Sequence, residues 1–196
     1  MENLPDFPSP TGLPTQKRYI TTHDATGRSV FANEIDPTAV YERVNPKLDF
    51  FLAYANTTFP AEMNDDFDIA KYKGLFAGPQ PPISIPGGTV LRVCNFAPGS
   101  VTPMHRTLSL DYGIVIAGQV ELVLDSGETK LLEPGDIAVQ RGTMHAWRTP
   151  HGNTWSRMVF ILQEGNALEL DGQALEEDYG GLDLVPGKDF RRQEGK

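Results

Sequence analysis

The sequence predicts an all-β protein built as a double antiparallel sheet, in the form of a sandwich or a barrel. Apolar stretches of five to eight residues recur at regular spacing in the second half of the chain, without helical stretches between them. Sixteen prolines and nineteen glycines punctuate the chain, which favours short strands over helices. In QVELVLD, Val120, Leu122 and Leu124 share one face, which is the period of a half-buried strand.

The N-terminal part is predicted to contain an arm, short strands and a loop segment. Residues 1–17 carry four prolines and no apolar periodicity, so we expect a proline-rich arm that lies along another subunit. Residues 18–85 supply N-terminal strands and a lid over the mouth of the barrel. KRYITTHD, RSVFANE and DFFLAYANTTF are predicted strands, and PAEMNDDFDIAKYKGLFAG holds at most one short helix. DPTAVYERVNP begins with Asp-Pro and ends before Pro46, which predicts one or two helical turns.

Residues 86–165 form the predicted core of a single domain, for which a chain of 196 residues is long enough. TVLRVCNFAPG is a strand that ends at Pro98-Gly99, and TWSRMVFILQ is another strand. Between them, apolar stretches alternate with the turn sequences AGQ, DSGE and EPGD. The acidic, glycine-rich tail of residues 166–196 is predicted to be irregular.

Composition excludes several classes of partner. A net charge of −9 argues against nucleic acid, whose phosphates require clustered Lys and Arg, and against an anionic membrane surface. The apolar runs are too short to span a bilayer, and the N-terminus lacks the pattern of a signal peptide. Cys94 is the only cysteine, so no intramolecular disulfide forms. We therefore expect a cytoplasmic protein in which Cys94 is an inert core residue.

The stretch GSVTPMHRTLSLDYGIVIAG, residues 99–118, carries the candidate chemistry. Because alternate residues of a strand point to one face, His105, Thr107 and Asp111 can aim at one interior point, and His145 would reach it from a neighbouring strand. Two neutral imidazoles and one carboxylate suit a divalent Fe, Mn, Ni or Zn ion. Without a metal, Asp111 and His145 would instead form an acid–base pair whose proton affinities are tuned by burial.

Residues 99–145 resemble the two signature motifs of the cupin superfamily. From Gly99 to Gly118 the sequence keeps the spacing of the first motif, which is Gly, five residues, His-x-x, three residues, acid, six residues, Gly. Thr107 stands in place of the second histidine, and Asp111 stands in place of glutamate. In the second motif, His145 follows Gly142 at the family spacing, while Arg141 replaces the family's proline and one residue is missing before that glycine.

The resemblance implies a jelly-roll β-barrel with short flanking helices and a metal on His105, Asp111 and His145. The phrases HRTLSLDYGIV, GQVELVLDSGETKLL and GDIAVQRGTMHAW are similar to small single-domain cupins of fungal secondary metabolism, many of which are labelled oxidoreductases. This narrower resemblance implies a small aromatic or polyketide-derived substrate. Together with the need to cover an exposed sheet edge, the resemblance also implies a homodimer.

Three functions follow from this interpretation. The leading one is a metal-dependent oxygenase whose substrate contacts Thr107, Trp147 and Arg92; the second is a lyase, either dehydratase or decarboxylase, that uses the metal as a Lewis acid or Asp111 and His145 alone. The third is a metabolite-binding barrel without catalysis. Trp147 is either a core residue or a pocket wall. The cation of Arg92, within an apolar strand, either binds a substrate carboxylate or lies on the outer face.

Overall fold

The computed structural model describes residues 11–75 and 81–181, and strands dominate this part of the chain. It contains one α-helix, α1, preceded by a 3-10 turn over Asn64–Asp66. In chain order the elements are β1 (Thr21–His23), β2 (Ser29–Phe31), β3 (Glu42–Asn45), β4 (Leu48–Asn56), α1 (Phe67–Leu75), β5 (Thr89–Phe96), β6 (Ser109–Ala117), β7 (Val120–Leu124), β8 (Thr129–Leu132), β9 (Ile137–Arg141), β10 (His145–Arg148), β11 (Ser156–Glu164), β12 (Glu169–Leu170) and β13 (Gln173–Ala174).

Two antiparallel sheets enclose the core. One has six strands in the order β3-β4-β5-β11-β6-β9, and the other has three in the order β10-β7-β8. Buried side chains of both sheets, such as Val90, Met158, Val120 and Trp147, belong to one apolar cluster. This arrangement confirms the predicted all-β double sheet. The pairs β1-β2 and β12-β13 form separate small hairpins.

Strand β6 shows how the sequence pattern positions the site. Ser109, Asp111 and Val115 are buried, whereas Tyr112 lies on the opposite face and is 37% exposed. Alternation along a strand therefore turns the polar residues that precede Gly113 toward the interior.

The N-terminal segment covers the outer face of the six-stranded sheet. Arg157 donates from Nη1 to the carbonyl of Pro14 at 2.7 Å, and the Tyr41 hydroxyl donates to Gln16 Oε1 at 2.5 Å. Residues 11–17 of the predicted arm thus contact their own chain. The contact with another subunit that was predicted for residues 1–17 stays a prediction, and residues 1–10 lie outside the described residues.

The predicted helix in DPTAVYERVNP is wrong, because this segment ends in strand β3. Asp36 Oδ1 accepts a hydrogen bond from the Thr38 backbone at 2.7 Å, which makes a local turn rather than a helix start. Asn45 Oδ1 accepts from the Lys47 backbone at 2.8 Å in the tight connection to β4. Pairing with β4 therefore overrides the local Asp-Pro signal.

The other predicted strands and the short helix are present. Helix α1 packs on β4, where the buried Tyr72 hydroxyl contacts the carbonyl oxygens of Leu52 and Ala53 at 2.7 and 2.9 Å. Within the predicted irregular tail, residues 169–174 form the β12-β13 hairpin, and the tail beyond residue 181 lies outside the described residues. No helix in the described ranges combines the length and apolarity needed to cross a membrane.

Candidate functional site

A cavity of about 70 Å³ lies between the two sheets. A single water needs about 10–15 Å³ on this measure, so the cavity has room for a ligand of several non-hydrogen atoms. All six predicted site residues line it: Arg92, His105, Thr107, Asp111, His145 and Trp147. The structure therefore brings together side chains that lie up to 55 positions apart in the sequence.

His105 and His145 form the centre of the site as a backbone-paired couple. Each donates its backbone N–H to the other's carbonyl, at 2.8 and 2.9 Å, and the ring centroids are 4.3 Å apart. Nδ1 of His105 lies 2.8 Å from the Pro103 carbonyl, and Nδ1 of His145 lies 2.9 Å from the Thr143 carbonyl. Because a carbonyl only accepts, each Nδ1 carries the proton, and each Nε2 keeps its lone pair.

Burial keeps both imidazoles neutral. It lowers the pKa of His105, and it lowers the pKa of His145 to about 4, to which the neighbouring His105 also contributes. At neutral pH the cavity thus contains two basic Nε2 atoms and no imidazolium.

Asp111 has a buried carboxyl of which only one oxygen has a hydrogen-bond partner among the described residues. Its Oδ2 accepts from Thr107 Oγ1 at 3.1 Å, and Thr107 Oγ1 accepts in turn from Ser109 Oγ at 2.8 Å. Its Oδ1 is buried and has no hydrogen-bond partner among the described residues. Burial raises the pKa of Asp111 to about 6, against the lowering effect of the Ser109 and Thr107 hydroxyls. A carboxyl with this pKa can hold or release a proton near neutral pH.

Arg92 points into the cavity and not to the outer face. Its side chain is buried at 5% exposure, and the guanidinium carbon lies 5.1 Å from the centre of the Phe50 ring. Of the two alternatives raised by the sequence, the outer-face position is therefore wrong.

Trp147 belongs to an aromatic wall. Its ring lies 5.6 Å from that of His145 and 5.5 Å from that of Phe160, both edge-on. Thr102 Oγ1 accepts from the Trp147 backbone at 2.9 Å and anchors the strand. The indole is thus both a core residue and a wall of the cavity.

Part of the cavity lining was not predicted from the sequence. Cys94 and Phe96 line the cavity, and Cys94 is not simply a core residue, although burial raises the pKa of its thiol to about 12 and leaves it unreactive. Both residues lie on the same face of β5 as Arg92, because they are two and four positions further along the strand. This alternation was the signal that could have identified them. Phe50 and Ile83 come from the predicted N-terminal strands and lid segment, where no pattern identified them.

Two histidine rings meet in the cavity, but the described residues do not bring a third metal ligand together with them. Within residues 11–75 and 81–181, no group of three or more His, Cys, Asp or Glu side chains is placed to hold one ion. Both histidines present Nε2, with Nδ1 fixed by a carbonyl, as is common for ligating imidazoles. Asp111 is one methylene shorter than glutamate, and its Oδ2 is bound by Thr107. The site on His105, Asp111 and His145 stays a prediction.

Comparisons with known proteins place the chain in a family. No family model matches it. It is 46% identical over 163 residues to phomopsin biosynthesis cluster protein C' of Diaporthe leptostromiformis, covering 83% of this chain and 86% of the relative. It is also 38% identical over 174 residues to the cupin-domain-containing oxidoreductase fogC of Aspergillus ruber, covering 87% and 83%. The chain belongs to the cupin family. This confirms the resemblance seen in the two motifs.

This cupin has further relatives in fungal biosynthesis clusters. Oryzines biosynthesis cluster protein J of Aspergillus oryzae is 40% identical over 168 residues, covering 86% of this chain and 93% of the relative. Among solved structures, KdgF from Halomonas sp. is similar with a TM-score of 0.43 and 18% identity, covering 63% of this chain and 85% of that one. A cupin-2 domain protein from Rhodospirillum rubrum has a TM-score of 0.41 and 11% identity, with 71% of each chain covered.

Proposed function

We propose that this cupin is an enzyme that transfers protons on a small aromatic or polyketide-derived metabolite, with Asp111 and His145 as its catalytic residues. The observation that carries the proposal is the half-satisfied Asp111 carboxyl, which lines one largely apolar cavity together with a neutral imidazole. Relatives named as members of biosynthesis clusters support a metabolite as the substrate.

The two groups suit a dehydration. His145 Nε2 takes a proton from a carbon of the substrate, and the Asp111 carboxyl delivers a proton from Oδ1 to a hydroxyl on the adjacent carbon. The C–H and C–O bonds break, a carbon–carbon double bond forms, and water leaves. No oxidant or reductant is consumed. The dehydration needs no second substrate.

The surrounding residues tune and enclose this pair. Thr107, held by Ser109, donates to Asp111 Oδ2 and so leaves Oδ1 for the transferred proton. Trp147 offers an aromatic face against which a planar substrate can pack. The apolar walls bury both groups, and this burial raises the pKa of Asp111 and lowers that of His145.

A second candidate is the metal-dependent oxygenase, which is favoured by the free Nε2 atoms of His105 and His145 and by relatives named oxidoreductases. A bound Fe, Mn, Ni or Zn ion would supply a Lewis acid, and a redox-active ion would also activate dioxygen. The two histidines would hold the ion, with Asp111 as the predicted third ligand.

Elemental analysis of protein purified without an affinity tag separates the two candidates. Proton transfer predicts a low metal content that is unchanged in Asp111→Asn, together with anaerobic turnover that survives treatment with EDTA. About one ion per chain, lost in both His105→Ala and His145→Ala, would instead support the metal-dependent enzyme.

Turnover is measured on extracts of a producing strain from which the gene has been deleted. Asp111→Asn and His145→Gln are each expected to reduce turnover about 100-fold or more, which is the usual contribution of a positioned acid or base. Unchanged turnover in both variants would contradict catalysis by this pair. If the native protein binds metabolites of the extract without converting any, the alternative of a non-catalytic metabolite-binding cupin is correct.

We also propose that this cupin is a homodimer that pairs through the β9 edge of its six-stranded sheet. Strand β9 is the last strand of that sheet, and its outward residues Ile137 and Val139 are 61% and 54% exposed. On the neighbouring strand, Tyr112 lies opposite Val139. An apolar sheet edge favours pairing with another chain, and a second copy presents the same surface.

A further inference from the structure

Arg92 is a buried cation that the carboxylate of Glu42 reaches only by a longer-range electrostatic attraction. No ion pair is formed by its guanidinium within residues 11–75 and 81–181, where the acidic residue of the cavity lining is Asp111. Nη2 donates to the carbonyls of Pro81 and Pro82, both at 3.3 Å. Nε is buried and has no acceptor among these residues. A buried charge needs a partner, because burial removes the water that would otherwise solvate it.

The surroundings of Arg92 suit a ligand with one negative charge and an apolar body. Apart from the neutral histidines, Arg92 is the basic residue among the described residues of the lining. A phosphate dianion would require a second cation, whereas a carboxylate matches one guanidinium. The remaining walls are largely apolar: Leu48, Phe50, Ile83, Phe96, Phe160 and Leu162.

We infer that Arg92 binds the carboxylate of the substrate, so that the substrate class is a small monocarboxylic acid with an aromatic or aliphatic body. The inference rests on the proposed function, since it names the substrate of the same cavity. The carbonyls of Pro81 and Pro82 orient the guanidinium, and the Phe50 ring supports it.

The sheet register separates this anchor from the proton-transfer pair. On β11, Phe160 lies opposite Arg92 and Leu162 lies opposite Asp111. Two strand spacings across the sheet and two residues along it place the Cα atoms of Arg92 and Asp111 about 12 Å apart. The carboxylate therefore serves as an anchor at a distance from the reacting carbon, which favours dehydration over decarboxylation.

Binding of simple probes to the full-length chain tests the inference. Isothermal titration calorimetry compares benzoate with benzamide, and hexanoate with hexanamide. Native protein is expected to bind each acid at least about tenfold more tightly than its amide, since a charged hydrogen bond is stronger than a neutral one. Equal affinity for acid and amide in the native protein would overturn the inference without any variant.

Variants locate the effect at Arg92. Arg92→Met is expected to abolish the preference for the acids by lowering acid affinity much more than amide affinity, and Arg92→Lys is expected to keep the preference in part. Arg157→Met is the matched control, because Arg157 is also buried but binds Asn95 and Pro14 on the other face of the sheet. A folded Arg92→Met protein that still prefers benzoate to benzamide would show that the inference is wrong.

One further variant separates this inference from the proposed function. Asp111→Asn is expected to keep the acid preference within about threefold while losing turnover, because it leaves Arg92 intact. Arg92-dependent binding with unimpaired turnover in Asp111→Asn would contradict the proposed function alone. Loss of turnover without any acid preference would contradict the inference alone.

Discussion

Asp111 makes the stability of the folded protein depend on pH. Burial raises its pKa from 3.8 to about 6, so its contribution to the free energy of unfolding is full below pH 4 and is lost as the pH rises through 6. A shift of this size corresponds to about 3 kcal/mol. Urea unfolding compares native protein and Asp111→Asn at pH 4 and at pH 7. The free energy of unfolding of Asp111→Asn, relative to that of the native protein, is expected to be higher at pH 7 than at pH 4 by about this amount. A constant difference between the two proteins would contradict the buried carboxyl.

His145 makes the free energy of unfolding depend on pH in the opposite direction. Burial lowers its pKa from 6.5 to about 4, so its contribution is full above pH 6.5 and is lost as the pH falls through 4. We expect His145→Gln to gain stability relative to the native protein, by about 3 kcal/mol, as the pH is lowered from 7 to 4. His23→Gln, at an exposed position of β1, is the control and is expected to follow the native protein at both pH values.

Thr107 is expected to set the acidity of Asp111. Its hydroxyl donates to Oδ2 and lowers the pKa of the carboxyl, so Thr107→Val, which keeps the shape and removes the donor, raises that pKa further. The alkaline limb of the pH–turnover profile, where Asp111 loses its proton, is then expected to move to higher pH. Asp111→Asn abolishes this limb. An unmoved limb in Thr107→Val would mean that the hydrogen bond has no influence on catalysis.

At the scale of elements, the turn between β6 and β7 depends on a residue without a side chain. Gly118 has φ +69°, and a Cβ there would lie 2.8 Å from both the Ser156 Cα and the Trp155 carbonyl oxygen. Gly118→Ala is expected to destabilise the fold by about 3 kcal/mol, by adding this backbone clash to the cost of a positive φ. Gly127→Ala is the control, with φ +87° and no atom of the described residues within 4 Å of the added Cβ, and is expected to cost about 1 kcal/mol in denaturant unfolding.

At the scale of the whole molecule, the exposed β9 edge predicts the oligomeric state. Light scattering of the native protein is expected to give twice the chain mass of 21.6 kDa. Val139→Glu places a charge on the outward face of β9 and is expected to give the single-chain mass with the cavity intact, because like charges then face each other across the two-fold axis. Leu131→Glu, which is 52% exposed on β8 in the other sheet, is the control and is expected to stay dimeric. A native protein of single-chain mass would contradict the dimer.

Local patterns were sufficient to predict most of the fold and much of the site. Alternation and turn residues predicted β4, β5, β7 and β11, and the motif spacing predicted that His105, Asp111 and His145 would line one interior space. The segment DPTAVYERVNP shows where this reasoning fails, since Asp-Pro is compatible with a helix start and with a turn alike. Pairing with β4, a contact made across the turn at residues 46–47, decided between them.

The order of residue types along the chain determined the all-β class, the family and the inward face of β6, because alternation and motif spacing are local properties of a strand. Only the tertiary structure decided the side of the sheet on which Arg92 lies, the meeting of the His105 and His145 rings, and the burial of Asp111 Oδ1 without a hydrogen-bond partner among the described residues. These features depend on which carbonyls and side chains of distant strands meet in the cavity, and strand pairing over long sequence separations sets those distances.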